Sequence, residues 1–148
     1  ADLLNQGRLR LQTLDFTNDT QWNASTWEQT DPRVDIIAMG RILHDWDDEM
    51  AASILSRCSR VLPSDNDHAG ILLAEQILND DHVGPLGTNL QDINMLVQTE
   101  GKERSLPEFK GLLNEAGFSH VEGKRTGQPL DAILGTRRQI GTKMENMS

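Results

Sequence analysis

The chain is poor in residues that several functional classes require. A single cysteine, Cys58, among 148 residues cannot close an internal disulfide, which excludes a disulfide scaffold and a cysteine-rich metal knuckle. Tyrosine is absent and aromatic residues make up 4% of the chain, so each tryptophan is informative. Basic residues are outnumbered, 14 against 23 acids, and the net charge of -9 works against a nucleic-acid backbone or an anionic membrane surface as partner. No run of about 18 apolar residues is present to span a membrane, and the amino end carries neither the basic nor the apolar region of a secretory signal. With Cys58 on the apolar face of an expected helix, these features point to a cytoplasmic protein. No glycine-rich phosphate loop follows a strand, which removes the usual means of holding a nucleoside triphosphate or a dinucleotide.

What is present suits one soluble domain, since 36% of the residues are hydrophobic and their order alternates between two periods. Val34 to Met39 is short, rich in β-branched residues and bounded by Pro32 and Gly40, which predicts a strand buried on both faces. From Asp47 onward Ala51, Ile54, Leu55, Cys58 and Leu62 recur at helical spacing, with acids in the first turn, arginines near the far end and Pro63 as the stop. A second buried strand is expected from Gly70 to Glu75. Between Leu86 and Gln98, Leu90, Ile93 and Val97 lie three or four apart, which predicts a helix despite the neighbouring glycines. Ser105 and Glu108 form a capping box ahead of Phe109, Leu112, Leu113 and Ala116, and Gly117 suits a left-handed carboxyl cap. Two last strands, Ser119 to Gly123 and Leu130 to Gly135, flank the turn-forming Gly127-Gln128-Pro129. The order is that of an α/β domain with a mainly parallel sheet over residues 1–138, followed by a disordered tail at 139–148.

Ligands of such sheets bind beyond the carboxyl ends of the strands, where His44 and Glu75 both fall. A histidine there, followed by Asp45 and facing a second strand end that carries an acid, has the makings of an oriented general base. Lone histidines are more often structural, but Glu75 interrupts the apolar run Ile71 to Leu78, and a buried carboxylate needs a partner. By composition alone Glu103, within Glu100 to Arg104, belongs to a solvated turn. Trp46 either covers a planar ligand or packs its loop onto the core. His44-Asp45 with Asp47 and Asp48 is also similar to the pair found in metal-dependent phosphohydrolases. His68, His82 and His120, however, lack the helical spacing that would bring them to one ion, so no metal is expected.

The ordered runs IIAMGRILHDWDDE, ILLAEQIL, NMLVQTEGKERS and LDAILGTR, within Asp15 to Arg138, resemble the S-adenosylmethionine-dependent O-methyltransferases of the plant caffeate type. Within that family they are most similar to the acetylserotonin-methylating members and their methyltransferase-like paralogue. The resemblance implies a Rossmann-like class I methyltransferase fold with strand order three, two, one, four, five, seven, six. It implies S-adenosylmethionine as cofactor, with a small phenolic or hydroxyindole acceptor such as the 5-hydroxyl of N-acetylserotonin, and a homodimeric parent enzyme. His44 matches the base that deprotonates the acceptor hydroxyl, and Glu75 and Glu103 match the acids that orient it. Asp45, Asn94 and Gln98 match substrate-holding positions. Asp15, Phe16 and Arg41 match donor-holding positions, and Trp46 matches the aromatic beside the adenine. A phenol of pKa ~10 is a poor nucleophile at neutral pH until a base takes its proton, so the scheme is chemically coherent.

The family's glycine-rich donor loop and helical dimerisation domain are not found in this sequence, and Leu14 stands where a glycine is expected. Arg10 to Phe16 aligns with the third strand, leaving strands one and two unaccounted for and the edge of the Val34 to Met39 strand exposed. The segment Thr17 to Arg33 is longer than the family's, and Trp22 and Trp27 are placed to pack over that edge. The chain by itself is expected to be inactive. A paralogue with another acceptor and a non-catalytic isoform that pairs with a full-length subunit are the alternative expectations.

Overall fold

A computed structural model describes Leu3, Gln6, residues 11–22 and residues 34–138. Trp27 and the tail at 139–148 lie outside these residues.

The β-branched run produces β1 (Ile36–Gly40), which lies parallel to β2 (Gly70–Glu75) with Ile36 opposite Gly70 and Gly40 opposite Ala74. Between them runs α1 (Asp48–Val61). Asp47 caps it by accepting the Met50 N–H at 2.8 Å, and Asp48 and Glu49 in the first turn complement the helix dipole. Its buried face is Ala51, Ile54, Leu55, Cys58 and Val61, close to the stripe that the periodicity predicts. A short strand β3 (Ile77–Leu78) follows β2, then α2 (Leu86–Gln98), and β4 (Arg104–Ser105) pairs in parallel with β3. The capping box forms at the head of α3 (Leu106–Glu115), where Ser105 N–H and Oγ–H both donate to Glu108 Oε2, at 2.7 and 2.9 Å. Gly117 ends the helix at φ +95°, a backbone state that L side chains resist. The chain closes with β5 (His120–Lys124) and β6 (Asp131–Thr136).

The main sheet runs β1-β2-β6-β5, the order four, five, seven, six that the resemblance implies. It is a mixed sheet in which β1, β2 and β5 run in one direction, as a mainly parallel sheet requires, and β6 alone is reversed, lying antiparallel to both β2 and β5. The tight connection through Gly127 joins β5 and β6 as a hairpin, which can only be antiparallel, and β6 is the strand that inserts beside β2. α1 and α3 pack together, and the core joins Leu55, Cys58, Leu113 and Phe118 to Ile71, Leu73 and Ile133 of the sheet. Full burial of each such aliphatic side chain stabilises the fold by about 1.5–3 kcal/mol.

Two expectations change. β1 is not buried on both faces: it is the last strand on its side of the sheet, with Ile36 47% exposed. Leu14, Phe16, Trp22, Val34 and Ile36 line an apolar hollow of ≈ 450 Å³ along it. Trp22 is buried in that hollow, as expected, and donates its Nε1–H to Phe16 O at 3.1 Å. Residues 11–15 form no strand. Asp15 instead opens a turn, accepting from Thr17 N–H at 3.0 Å and Thr17 Oγ–H at 2.6 Å, so its carboxyl sits below its ordinary pKa chiefly through the Thr17 hydroxyl. α2 is helical as the spacing predicts; Leu90, Ile93 and Val97 are 58%, 60% and 79% exposed, and its buried residues are Thr88 and Met95.

Candidate active site

Parallel pairing of β1 with β2, and of β3 with β4, brings three distant segments to one end of the sheet. After Gly40 the chain turns sharply through Arg41, at φ +56°, into a single 3-10 turn, Leu43–Asp45. His44 on that turn is 5% exposed. Its Nδ1 lies 3.2 Å from Glu103 Oε1, and its Nε2 lies 3.4 Å from Asp45 Oδ1. Glu103 Oε1 also accepts from Arg41 Nη1 at 3.1 Å, so an acceptor oxygen faces Nδ1 and favours the tautomer in which Nδ1 carries the proton. The Nε2 lone pair is then the one free to take a proton from an acceptor molecule.

Glu75, at the end of β2, is fully buried and acts on the backbone rather than on the ring. Its Oε1 accepts from both Ile42 N–H and Leu43 N–H at 3.0 Å, which fixes the entry to the turn. The second oxygens of Glu75 and Glu103 are buried without a hydrogen-bond partner among the described residues. Asp92 of α2 accepts the Glu103 N–H at 2.8 Å. Burial lowers the His44 pKa from its ordinary value, aided by the Arg41 charge, so the imidazole favours its neutral, basic form. Burial raises Glu75, and pushes Glu103 up to about 7, with the Glu75 charge adding to the effect and Arg41 opposing it. His44, Glu75 and Glu103 present ligand-type atoms within 4.8 Å of one another, a set able to hold a cation, and Arg41 already supplies positive charge there.

Phe16 and Trp46 meet edge to face, with ring centroids 6.3 Å apart and planes at 85°. The 15–22 segment is held against α1 by Arg57, which donates to Phe16 O at 3.3 Å and to Asp19 Oδ1 at 3.2 Å, and by Arg60, which pairs with Asp19. Of the expected donor-holding residues, Phe16 and Trp46 therefore adjoin, Asp15 lies exposed in the same segment, and Arg41 is engaged by Glu103. Asn94 and Gln98 bond to each other on α2, and among the described residues no hydrogen bond joins either to the His44 cluster.

Composition places Glu100 to Arg104 in a solvated turn. The structure instead buries Gly101, Glu103 and Arg104. Asp92 and Arg104 adjoin the cluster at positions that sequence reasoning does not reach, because polar residues give no local signal of such long-range contacts; only the charge density of the 100–104 run marks the segment of Arg104.

Residues 9–119 match the O-methyltransferase domain family. The chain is 43% identical over 106 residues to acetylserotonin O-methyltransferase of Gallus gallus, covering 72% of this chain and 30% of that protein. It is equally 43% identical over 106 residues to a probable bifunctional dTTP/UTP pyrophosphatase/methyltransferase protein of Homo sapiens, 72% of this chain and 17% of that one. Its fold superimposes on the crystal structure of human N-acetylserotonin methyltransferase in complex with SAM with a TM-score of 0.66 at 40% identity, covering 71% of this chain and 30% of that one. The chain thus spans about a third or less of the length of these relatives. By the family match, the order of its sheet and the position of the His44 cluster at the strand ends, this chain belongs to the O-methyltransferase domain family.

Proposed function

We propose that this chain forms the acceptor-activating part of an S-adenosylmethionine-dependent O-methyltransferase that methylates the 5-hydroxyl of N-acetylserotonin, with His44 as general base. The observation that carries the reading is the buried imidazole whose Nδ1 is tied to Glu103, leaving Nε2 as its basic atom. Glu75 holds the turn beneath the ring, and Glu103 stabilises the imidazolium once the acceptor proton arrives. S-adenosylmethionine, when bound, supplies an electrophilic sulfonium methyl. The Phe16–Trp46 corner suits the flat, apolar face of its adenine, and Asp15 suits a hydroxyl or cationic group of the donor. Arg41 serves the base cluster through Glu103, and its part-exposed guanidinium would also suit a polar group of the donor. Asp45, half exposed beside Nε2, together with Asn94 and Gln98 supplies the polar contacts for the acceptor's amide and indole N–H.

Residues 1–138 are read as the carboxyl-terminal part of the catalytic domain of a cytoplasmic homodimer, with 139–148 as tail. The exposed apolar residues of α2, Leu86, Leu90, Ile93, Leu96 and Val97, support an apolar contact there, since a contiguous patch of this kind is uncommon on a free surface. Among the described residues no helix is long and apolar enough to cross a membrane. The equal identity to the human bifunctional protein supports a second reading that differs only in the acceptor. The test joins this chain to the preceding part of the Gallus gallus relative and follows labelled methyl from S-adenosylmethionine. Transfer to N-acetylserotonin supports the first reading, and donor binding with transfer only to other phenols supports the second. Absence of donor binding overturns both.

A further inference from the structure

The backbone of the turn carrying His44 is closed by long hydrogen bonds, Asp45 N–H to Ile42 O at 3.2 Å and Trp46 N–H to Leu43 O at 3.3 Å. A single turn of this kind does not by its own strength hold an imidazole in one orientation. Its rigidity comes from outside, from Glu75 on its N–H groups and from Arg104 on its carbonyls. Arg104 is fully buried, and its guanidinium donates from Nη1 to Leu43 O at 2.8 Å and from Nη2 to Trp46 O at 2.8 Å, the carbonyls on either side of His44-Asp45. Nε of the same group donates to Asp48 Oδ1 at 2.9 Å, at the start of α1, and Nη1 also reaches Lys102 O at 3.4 Å. The planar fork thus grips the turn at both ends and ties it to the helix that follows.

The loop that delivers this fork lies flush against the turn. A Cβ on Gly101 would stand 2.0 Å from His44 O and 2.5 Å from the Asp45 carbonyl carbon, so only glycine allows the two backbones to approach as they do. Pairing of β4 with β3, Arg104 opposite Ile77, then fixes the register of the Glu103-Arg104 dipeptide relative to Glu75. The two adjacent side chains hold the base in complementary ways. Glu103 orients the imidazole through Nδ1, and Arg104 holds the backbone from which that imidazole projects.

We infer that Arg104 is a positioning residue for the base, acting on His44 through the peptide carbonyls of Leu43 and Trp46, with Gly101 providing the close approach. The inference rests on His44 being the base of the proposed reaction. Lysine at 104 keeps the positive charge but offers a point donor in place of a fork, and cannot reach both carbonyls and Asp48 together. Arg104→Lys therefore separates position from charge.

The test is nitrogen-15 histidine spectroscopy of the 148-residue chain. In the unaltered chain His44 should show one neutral tautomer with a protected Nδ1 proton. Arg104→Lys should lose that protected proton and show mixed tautomers, while core methyl signals such as those of Leu55 and Ile133 keep their dispersion. An unchanged His44 spectrum in folded Arg104→Lys overturns the inference. Should that variant not fold, Asp48→Ala, at an exposed helix position, releases Nε of Arg104 and should partly lose the protected proton; an unchanged spectrum there is equally contrary. Glu103→Ala separates the two readings. If it too leaves His44 unchanged, the pairing behind the proposed function fails, whereas a change with Glu103→Ala but none with Arg104→Lys or Asp48→Ala overturns only the role of Arg104.

Discussion

His44 Nδ1 and Glu103 Oε1 stand 3.2 Å apart although 59 positions separate the two residues in the chain. This contact converts a surface-type residue pair into a buried, oriented base, because neither group is solvated and each fixes the other's role. The contact depends on sheet topology: β1 and β4 lie far apart in sequence, and only the pairings with β2 and β3 bring their ends together.

The raised pKa of Glu103 makes stability depend on pH in a definite direction. Its carboxyl is pushed by burial from 4.5 up to about 7, so between these values the folded chain holds a proton that the unfolded chain has released. Stability contributed by this group is therefore present below about 4.5 and is lost as pH rises toward about 7. Relative to Glu103→Gln, the unaltered chain should lose roughly 3 kcal/mol across that window, the attraction of Arg41 being already contained in the raised value. Urea denaturation of both proteins at a series of pH values reads the difference, and parallel curves would contradict it.

Glu75 should prove a structural support whose loss is felt at two backbone sites at once. Glu75→Ala strands the Ile42 and Leu43 N–H groups, at a cost of about 2–4 kcal/mol. Glu75→Gln retains an acceptor oxygen and removes a buried charge, and should cost less than half as much. Thermal and chemical denaturation compare the two; equal losses would mean that the charge rather than the acceptor is what matters.

Much of the fold is legible in the sequence because periodicity reports burial directly. The capping box, the Gly117 cap and the buried face of α1 all appear where the pattern places them. The candidate site is legible only in part. Glu75 declares itself by interrupting an apolar strand, whereas Glu103 and Arg104 sit in a run that hydropathy reads as solvated, and resemblance alone singles out Glu103. Their burial is set by pairing between β3 and β4, a long-range event without local signature. α2 shows what periodicity alone leaves open. Its apolar period predicts a helix, and the period is the same whether its stripe faces this chain's core or another surface, so Leu90, Ile93 and Val97 emerge exposed.

That exposed stripe carries its own prediction. Leu96→Lys and Val97→Glu should change unfolding free energy by no more than about 0.5 kcal/mol, because neither side chain packs on the core. Both should reduce self-association, measured by analytical ultracentrifugation. A large loss of fold stability would show that the stripe packs within the chain.

The central claim is that His44 takes the acceptor's proton. The most direct measurement is single-turnover methyl transfer to N-acetylserotonin by the chain joined to the preceding part of its Gallus gallus relative, comparing His44 with His44→Gln at saturating donor and acceptor. Loss of ~10²- to 10⁴-fold in the transfer rate, with both affinities nearly unchanged, is the result expected of a general base. An equal transfer rate in the variant would contradict the account.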